Sequence, residues 1–334
     1  MNSRERIFAV LQKQKVDRVP VAPFVMAFAA RYAGVPYREY CTNYKKMAEA
    51  QIKTVQEFDY DIVTVDTDAY REAEACGAVL EFPEDGLPLE VSSVLLEKTD
   101  LINLKLPNIE SSPRLLDKVL GVQELKTLVG EKYPILGWVE APFQSAAILR
   151  NINSFMMDLY EDPGFVKELL NFTTDMALMY GKAQVKAGAD IIGVGDAVAS
   201  LISPSDYKAL ALSCTQRLIH GLKETGVKVK YHICGNSGHL LKHIAQLGVD
   251  IVNIDSKVNL QQARQELPNT CLKGNLDPVK LLNESPHGIH LMVQEALKQG
   301  GTSYIVSPGC EVPVHTPYEN FRAMIEAARG MPQQ

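Results

Sequence analysis

Three residues of this chain, His232, Cys234 and Cys310, carry side chains that bind a borderline-soft divalent metal. Zn²⁺ takes imidazole nitrogen and thiolate sulfur, and a catalytic zinc site uses three protein ligands while one position stays open. His232 and Cys234 lie two apart in Tyr231-His232-Ile233-Cys234-Gly235-Asn236, directly after the β-branched run Val227-Lys228-Val229-Lys230. Residues two apart on a strand point to one side, so one segment can offer both to the same ion. Cys310 follows the apolar stretch Tyr304-Ile305-Val306, in Ser307-Pro308-Gly309-Cys310-Glu311. The competing reading is a buried histidine near unrelated cysteines that serve as small core residues.

The elements that must bring these residues together are short apolar, β-branched runs separated by helix-patterned stretches. Eight such runs occur, at residues 19–26, 60–66, 134–140, 189–196, 227–234, 249–255, 270–276 and 302–306. Helical patterns fall between most of them, including 154–187, 207–224, 238–247 and 317–329. Several runs follow a glycine stop, as in Ala187-Gly188-Ala189, Thr225-Gly226-Val227 and Leu247-Gly248-Val249. Glycine past the last helical turn supplies the left-handed cap from which the next strand starts. This alternation predicts an α/β fold, a single (β/α)₈ TIM barrel over residues 1–334 with an N-terminal helix. An open doubly wound sheet is the alternative. Residues 76–107 break the rhythm with a hairpin-like excursion, read as an insertion between strands two and three that covers one barrel mouth. The tail, 330–334, is expected to fray.

Composition narrows the function classes. The chain of 334 residues is 46% hydrophobic and 22% charged, ordinary values for a globular protein with a sizeable core. A net charge of −6 and the lack of any Lys/Arg block argue against a nucleic-acid partner. No apolar stretch is long enough to span a bilayer, and the opening Met1-Asn2-Ser3-Arg4-Glu5-Arg6 reads as a helix start, not a signal peptide. The six cysteines are dispersed and too few for a disulfide scaffold, so a reducing cytoplasm is the expected setting.

Barrel enzymes carry their chemistry at the C-terminal ends of the strands. Those ends here carry Asp66 and Asp68, Glu140, Asp196, His232 with Cys234, Asp255, Asn275 with Asp277, and Cys310. Asp196, Glu140 and Asp277 therefore stand as candidate catalytic side chains, and Asn275 and Asp66 as candidate cofactor contacts. Asp255 joins His232, Cys234 and Cys310 as a fourth candidate metal ligand, or else orients the histidine. For any single carboxylate the alternative is a helix cap or turn former. His239 and His243, four apart, lack the intervening glutamate of a zincin, and His287 and His290 fall in a polar helix start. The glycine pairs near 188 and 193–195 do not complete a nucleotide-binding loop. Cys41, Cys76, Cys214 and Cys271 read as structural.

Taken with Asp17-Arg18-Val19-Pro20-Val21 near the start and Gly274-Asn275-Leu276-Asp277-Pro278, these segments give the chain a clear likeness. It resembles the uroporphyrinogen decarboxylase superfamily over nearly its whole length, and within it the cobamide-dependent methyltransferases. The Gly-Asn-Leu-Asp-Pro element is common to both branches, whereas the His-x-Cys pair with a distant cysteine is the methyltransferases' zinc motif. The resemblance implies a zinc enzyme that moves methyl from a methylated corrinoid to a thiol such as coenzyme M. None of the seven histidines has an aspartate two residues before it, so the usual Asp-x-His-x-x-Gly cobalamin signature is missing. The methylcobamide is accordingly expected on a separate corrinoid protein. Three alternatives stay open: transfer in the opposite sense, from an O- or N-methyl donor to a corrinoid protein; uroporphyrinogen decarboxylation; and a barrel without activity whose His and Cys are structural. Against decarboxylation, the segment where that branch has several arginines reads Phe24-Val25-Met26-Ala27-Phe28-Ala29-Ala30-Arg31.

Overall fold

The computed structural model describes residues 1–330, so the predicted fraying of the tail concerns residues 331–334 that lie outside it. Helix Ser3–Leu11 opens the chain, as the sequence predicts. It starts with a reciprocal cap, in which the Asn2 side chain accepts from the Glu5 amide at 2.8 Å and the Glu5 carboxylate accepts from the Asn2 amide at 2.9 Å. Arg6 from this helix and Arg18 both reach the buried Asp61, at 2.7 Å each. The second carboxylate oxygen of Asp61 also takes the Val21 amide at 2.8 Å. One buried carboxylate thereby ties the opening helix and the segment after it to the sheet.

Nine strands follow in chain order: β1 Val63–Thr64, β2 Val79–Glu81, β3 Leu89–Ser92, β4 Ile135–Glu140, β5 Ile191–Gly195, β6 Lys228–His232, β7 Ile251–Ile254, β8 Cys271–Leu276 and β9 Tyr304–Pro308. Seven of them form one curled parallel sheet in the order β1-β4-β5-β6-β7-β8-β9. Strands β4, β5, β7 and β9 are buried along their whole length, which is why they read as continuous apolar runs. The helices flank the sheet, and helix Pro163–Ala187 packs on helices Pro113–Val129, Pro142–Arg150 and Leu212–Lys223.

Two predicted elements need correction. The first predicted strand, 19–26, makes only isolated parallel bridges, Val21 to Val306 and Phe24 to Glu311. It nevertheless lies between β9 and the start of β1, through Val306 N to Pro20 O (2.9 Å), Ala22 N to Val306 O (3.0 Å) and Asp61 N to Val21 O (2.7 Å). Pro20 and Pro23 lack the amide donors that a regular ladder requires, so the segment bridges without forming a strand. The long predicted helix 154–187 is two helices, Ile152–Glu161 and Pro163–Ala187, parted at Asp162. Its side chain caps the second helix at the Phe165 amide (3.1 Å), and proline takes the first helical position. Within the predicted excursion 76–107, β2 and β3 pair as an antiparallel hairpin, followed by a 3₁₀ turn at Lys98–Asn103. Among the described residues no helix is long and apolar enough to cross a membrane.

Candidate metal centre

His232 ends β6 and its side chain is buried. Its Nδ1 lies 3.2 Å from the Asn253 carbonyl, which directs Nε2 toward Cys234 Sγ at 3.0 Å. Cys234 Sγ is in turn 3.0 Å from Cys310 Sγ, although 76 positions separate them in the chain. The three ligand atoms all fall within 4.8 Å of one another. Cys310 is brought in by Gly309, whose backbone lies hard against the end of β7. A Cβ there would sit 2.4 Å from the Ser256 nitrogen, so only glycine allows the approach. The loop is pinned by Gly309 N to Leu276 O (2.8 Å) and by the Asn253 side-chain amide to Gly309 O (2.8 Å).

The two sulfurs share a proton unevenly. A hydrogen bond from the Cys234 thiol, helped by the His232 ring, holds Cys310 down at about 4. The same bond and burial push Cys234 far above the ordinary thiol range. Removing the remaining proton would leave two thiolates 3.0 Å apart in a half-buried site, which requires a cation between them. An imidazole nitrogen and two such sulfurs are the donor set that suits Zn²⁺, so these residues fit that ion.

The other predicted site residues are placed differently. Asp255 is not part of the cluster: its Oδ2 accepts from the Gly235 amide and its Oδ1 from the Lys257 amide, both at 2.9 Å. It shapes the turn after Cys234, and the histidine is oriented by the Asn253 carbonyl instead. Asp196 is fully buried and accepts from the Tyr231 hydroxyl at 2.5 Å, and Tyr231 touches the Tyr207 hydroxyl at 3.0 Å. Tyr231 alternates with His232 on β6, so this network faces away from the cluster. Burial pushes Asp196 up to about 7. Asp277 caps helix Pro278–Asn283 through the Val279 amide at 2.8 Å, and the Asn275 side chain donates to the Val258 carbonyl at 2.8 Å. Both hold loops. Asp66 forms a buried ion pair with Lys118 at 3.1 Å. His239 meets the Ile202 carbonyl at 3.0 Å, and the His243 ring lies 6.0 Å from that of Tyr207.

Glu140 remains on the side of the cluster. Cross-strand register puts Glu140, Gly195 and His232 in one row, and Gly195 offers no side chain between the other two. Glu140 accepts from the Trp138 indole N–H at 2.8 Å, while burial and the neighbouring Glu72 raise it well above the carboxylate range. Three further residues escaped the sequence reading. Glu72 accepts from the Glu140 amide at 3.1 Å. Glu311, next to Cys310, accepts from the Ala27 amide at 3.0 Å and is pushed up to about 8 by burial. Lys230 sets its ammonium against the rings of both Trp138 and Phe24, and burial brings it down to about 8. The one available signal was position: Lys230 is two before His232 and must share its face of β6. A cavity of about 660 Å³ opens beside the cluster, not on it, walled by Ala30, Arg31, Tyr37, Leu87, Glu311 and Val312.

Fold and cluster define a parallel α/β protein with a candidate three-ligand metal centre at the C-terminal rim of its strands. The uroporphyrinogen decarboxylase (URO-D) family pattern matches residues 2–331, and the chain belongs to that family. Among its relatives, it is 28% identical over 334 residues to methylcobamide:CoM methyltransferase MtbA of Methanosarcina acetivorans, covering 98% of this chain and 97% of that one. It is 30% identical over 284 residues to the uroporphyrinogen decarboxylase of Citrifermentans bemidjiense, covering 80% of each. Its fold superposes on a solved methyltransferase from Methanosarcina mazei with a TM-score of 0.91, at 24% identity and 98% coverage of both chains.

Proposed function

We propose that this protein is a zinc-dependent methyltransferase that moves a methyl group from a methylated corrinoid to a thiol acceptor such as coenzyme M. The observation that carries the reading is the convergence of His232 Nε2, Cys234 Sγ and Cys310 Sγ within 4.8 Å. These three side chains would hold Zn²⁺, which would supply the positive charge that keeps an acceptor thiol deprotonated and nucleophilic. The Asn253 carbonyl sets the histidine tautomer, so that Nε2 is the free nitrogen facing the sulfurs. Burial and the neighbouring Glu72 raise Glu140, which favours its neutral form beside two thiolates. The cobamide is assigned to a separate corrinoid protein, and the chain is read as one closed (β/α)₈ domain working in the cytoplasm.

The similarity to MtbA supports this reading, and the charge around the strand ends favours it over decarboxylation. A substrate with many carboxylates needs several free cations. Near the cluster lie Asp66, Glu72, Glu140 and Glu311, whereas of the three buried lysines Lys118 is paired with Asp66 and Lys273 donates to Asn253 and Ser307, which leaves Lys230 alone without a hydrogen-bond or ion-pair partner among the described residues. The deciding experiment measures zinc in the reduced protein and follows demethylation of methylcobalamin optically with a panel of thiols. One equivalent of zinc and a thiol-dependent rate are expected. A protein without stoichiometric zinc, or one indifferent to every thiol, would sink the proposal.

A further inference from the structure

Three lysines are buried in or against the sheet: Lys118, Lys230 and Lys273. Two have partners. Lys118 pairs with Asp66, and the Lys273 ammonium donates to the Asn253 side-chain oxygen and, at 2.8 Å, to the Ser307 hydroxyl. Lys230, 2% exposed, has no hydrogen bond and no ion pair from its side chain to any described residue. Its ammonium instead lies 4.6 Å from the centre of the Trp138 ring and 4.9 Å from that of Phe24, and these two rings stack at 5.0 Å. Aromatic faces attract a cation, yet they leave its three N–H donors without acceptors. Asp66, Cys234 and Cys310 act on its charge without accepting a hydrogen bond from it, so the placement of free donors here calls for a reason.

Register supplies one. Trp138 and Lys230 flank Gly193 in one row, and a Cβ on Gly193 would lie 2.2 Å from the indole, so the bare glycine lets the ring lie across β5. The next row holds Glu140, Gly195 and His232. Lys230 and His232 share a face of β6, with Cα atoms about 6.6 Å apart. The ammonium therefore stands on an aromatic floor one row below the His/Cys cluster, with its donors unused.

We propose that Lys230 anchors an anionic group on the thiol acceptor, so that the site selects short thiols bearing a carboxylate or sulfonate a few bonds from sulfur. The assignment rests on the reading of the cluster as a thiol-activating centre. Trp138, the single tryptophan of the chain, touches the ammonium and reports on it by fluorescence.

The test titrates zinc-loaded wild type and K230M with 2-mercaptoethanesulfonate, 2-mercaptoethanol and ethanesulfonate, reading Trp138 emission. Wild type is expected to bind the anionic thiol at least tenfold more tightly than the neutral one, and K230M to bring the two within twofold. Ethanesulfonate should change the emission of wild type and leave K230M unaltered. Methionine keeps the apolar stem without the buried ammonium, so K230M should resist urea at least as well as wild type; a merely structural lysine would instead show a loss. K230Q repeats the comparison if K230M fails to fold, and the wild-type thiol preference requires no variant at all. Equal binding of both thiols to wild type, or equal weakening of both in K230M, overturns the anchor while leaving the thiol centre standing. A Lys230-dependent response to ethanesulfonate, with 2-mercaptoethanesulfonate binding no more tightly than ethanesulfonate and 2-mercaptoethanol giving no response, upholds the anion anchor and overturns the thiol centre. No response to any of the three overturns both.

Discussion

Asp196→Asn isolates one buried carboxyl whose protonation the fold controls. Asp196 is fully buried, its Oδ2 accepts from Tyr231, and its Oδ1 has no hydrogen-bond partner. Burial raises it from an ordinary 3.8 to about 7. The unfolded chain releases this proton near pH 3.8 and the folded one only near 7, so the folded state binds more protons in between. The stability Asp196 lends is therefore fully present below pH 3.8 and is lost as the pH rises through 7. The total loss is about 4 kcal/mol at 1.36 kcal/mol per unit, of which about 2.5 kcal/mol falls between pH 5 and pH 8. Asparagine keeps an acceptor for Tyr231 and cannot ionise. Urea unfolding of both proteins at pH 5 and pH 8 gives the difference in slope directly, because every other titrating group cancels. Asp196→Asn should gain about 2.5 kcal/mol on wild type over that interval, without losing zinc. Profiles that run parallel would refute the burial argument. Loss of zinc or of methyl transfer with an intact fold would show that the Tyr231 network serves the centre after all.

Cys310→Ala should abolish zinc binding and thiol-dependent transfer while changing metal-free stability by only about 1 kcal/mol, since the residue sits in a rim loop; metal analysis and urea unfolding test both halves. Gly309→Ala puts a Cβ 2.4 Å from the Ser256 nitrogen and should destabilise by about 2 kcal/mol and weaken zinc binding, as read by competition with a chelator. A Gly309→Ala protein with normal zinc affinity would mean that the loop reaches the cluster another way. Asp61→Asn removes the buried charge shared by Arg6 and Arg18 and should cost about 3 to 5 kcal/mol, with the opening helix the first segment to exchange its amide hydrogens. Normal protection of Ser3–Leu11 in that variant would contradict the tethering role.

Much of this protein was legible from local pattern. Runs that are apolar on both faces can only be buried parallel strands, and the glycine stops before Ala189, Val227 and Val249 mark where β5, β6 and β7 begin. The His-x-Cys pair declared its chemistry through residue type and a period of two. Other features depend on which distant atoms come to face them, and only the tertiary structure decided those. The 19–26 run looks like a strand, yet its prolines leave it as a bridge between β9 and β1. Asp196 and Asp255 share the strand-end position of His232, but a tyrosine from the opposite face of β6 and two loop amides take their oxygens. Cys310 became a partner of Cys234 because Gly309 lets one loop press against β7, a contact that no local spacing encodes. Lys230 stands two before His232, so its face of β6 was implicit in the sequence although the sequence reading passed over it. That it has an aromatic floor and no ion-pair partner among the described residues follows from the register of β4, β5 and β6, because pairing is a property of neighbours and not of the residue itself.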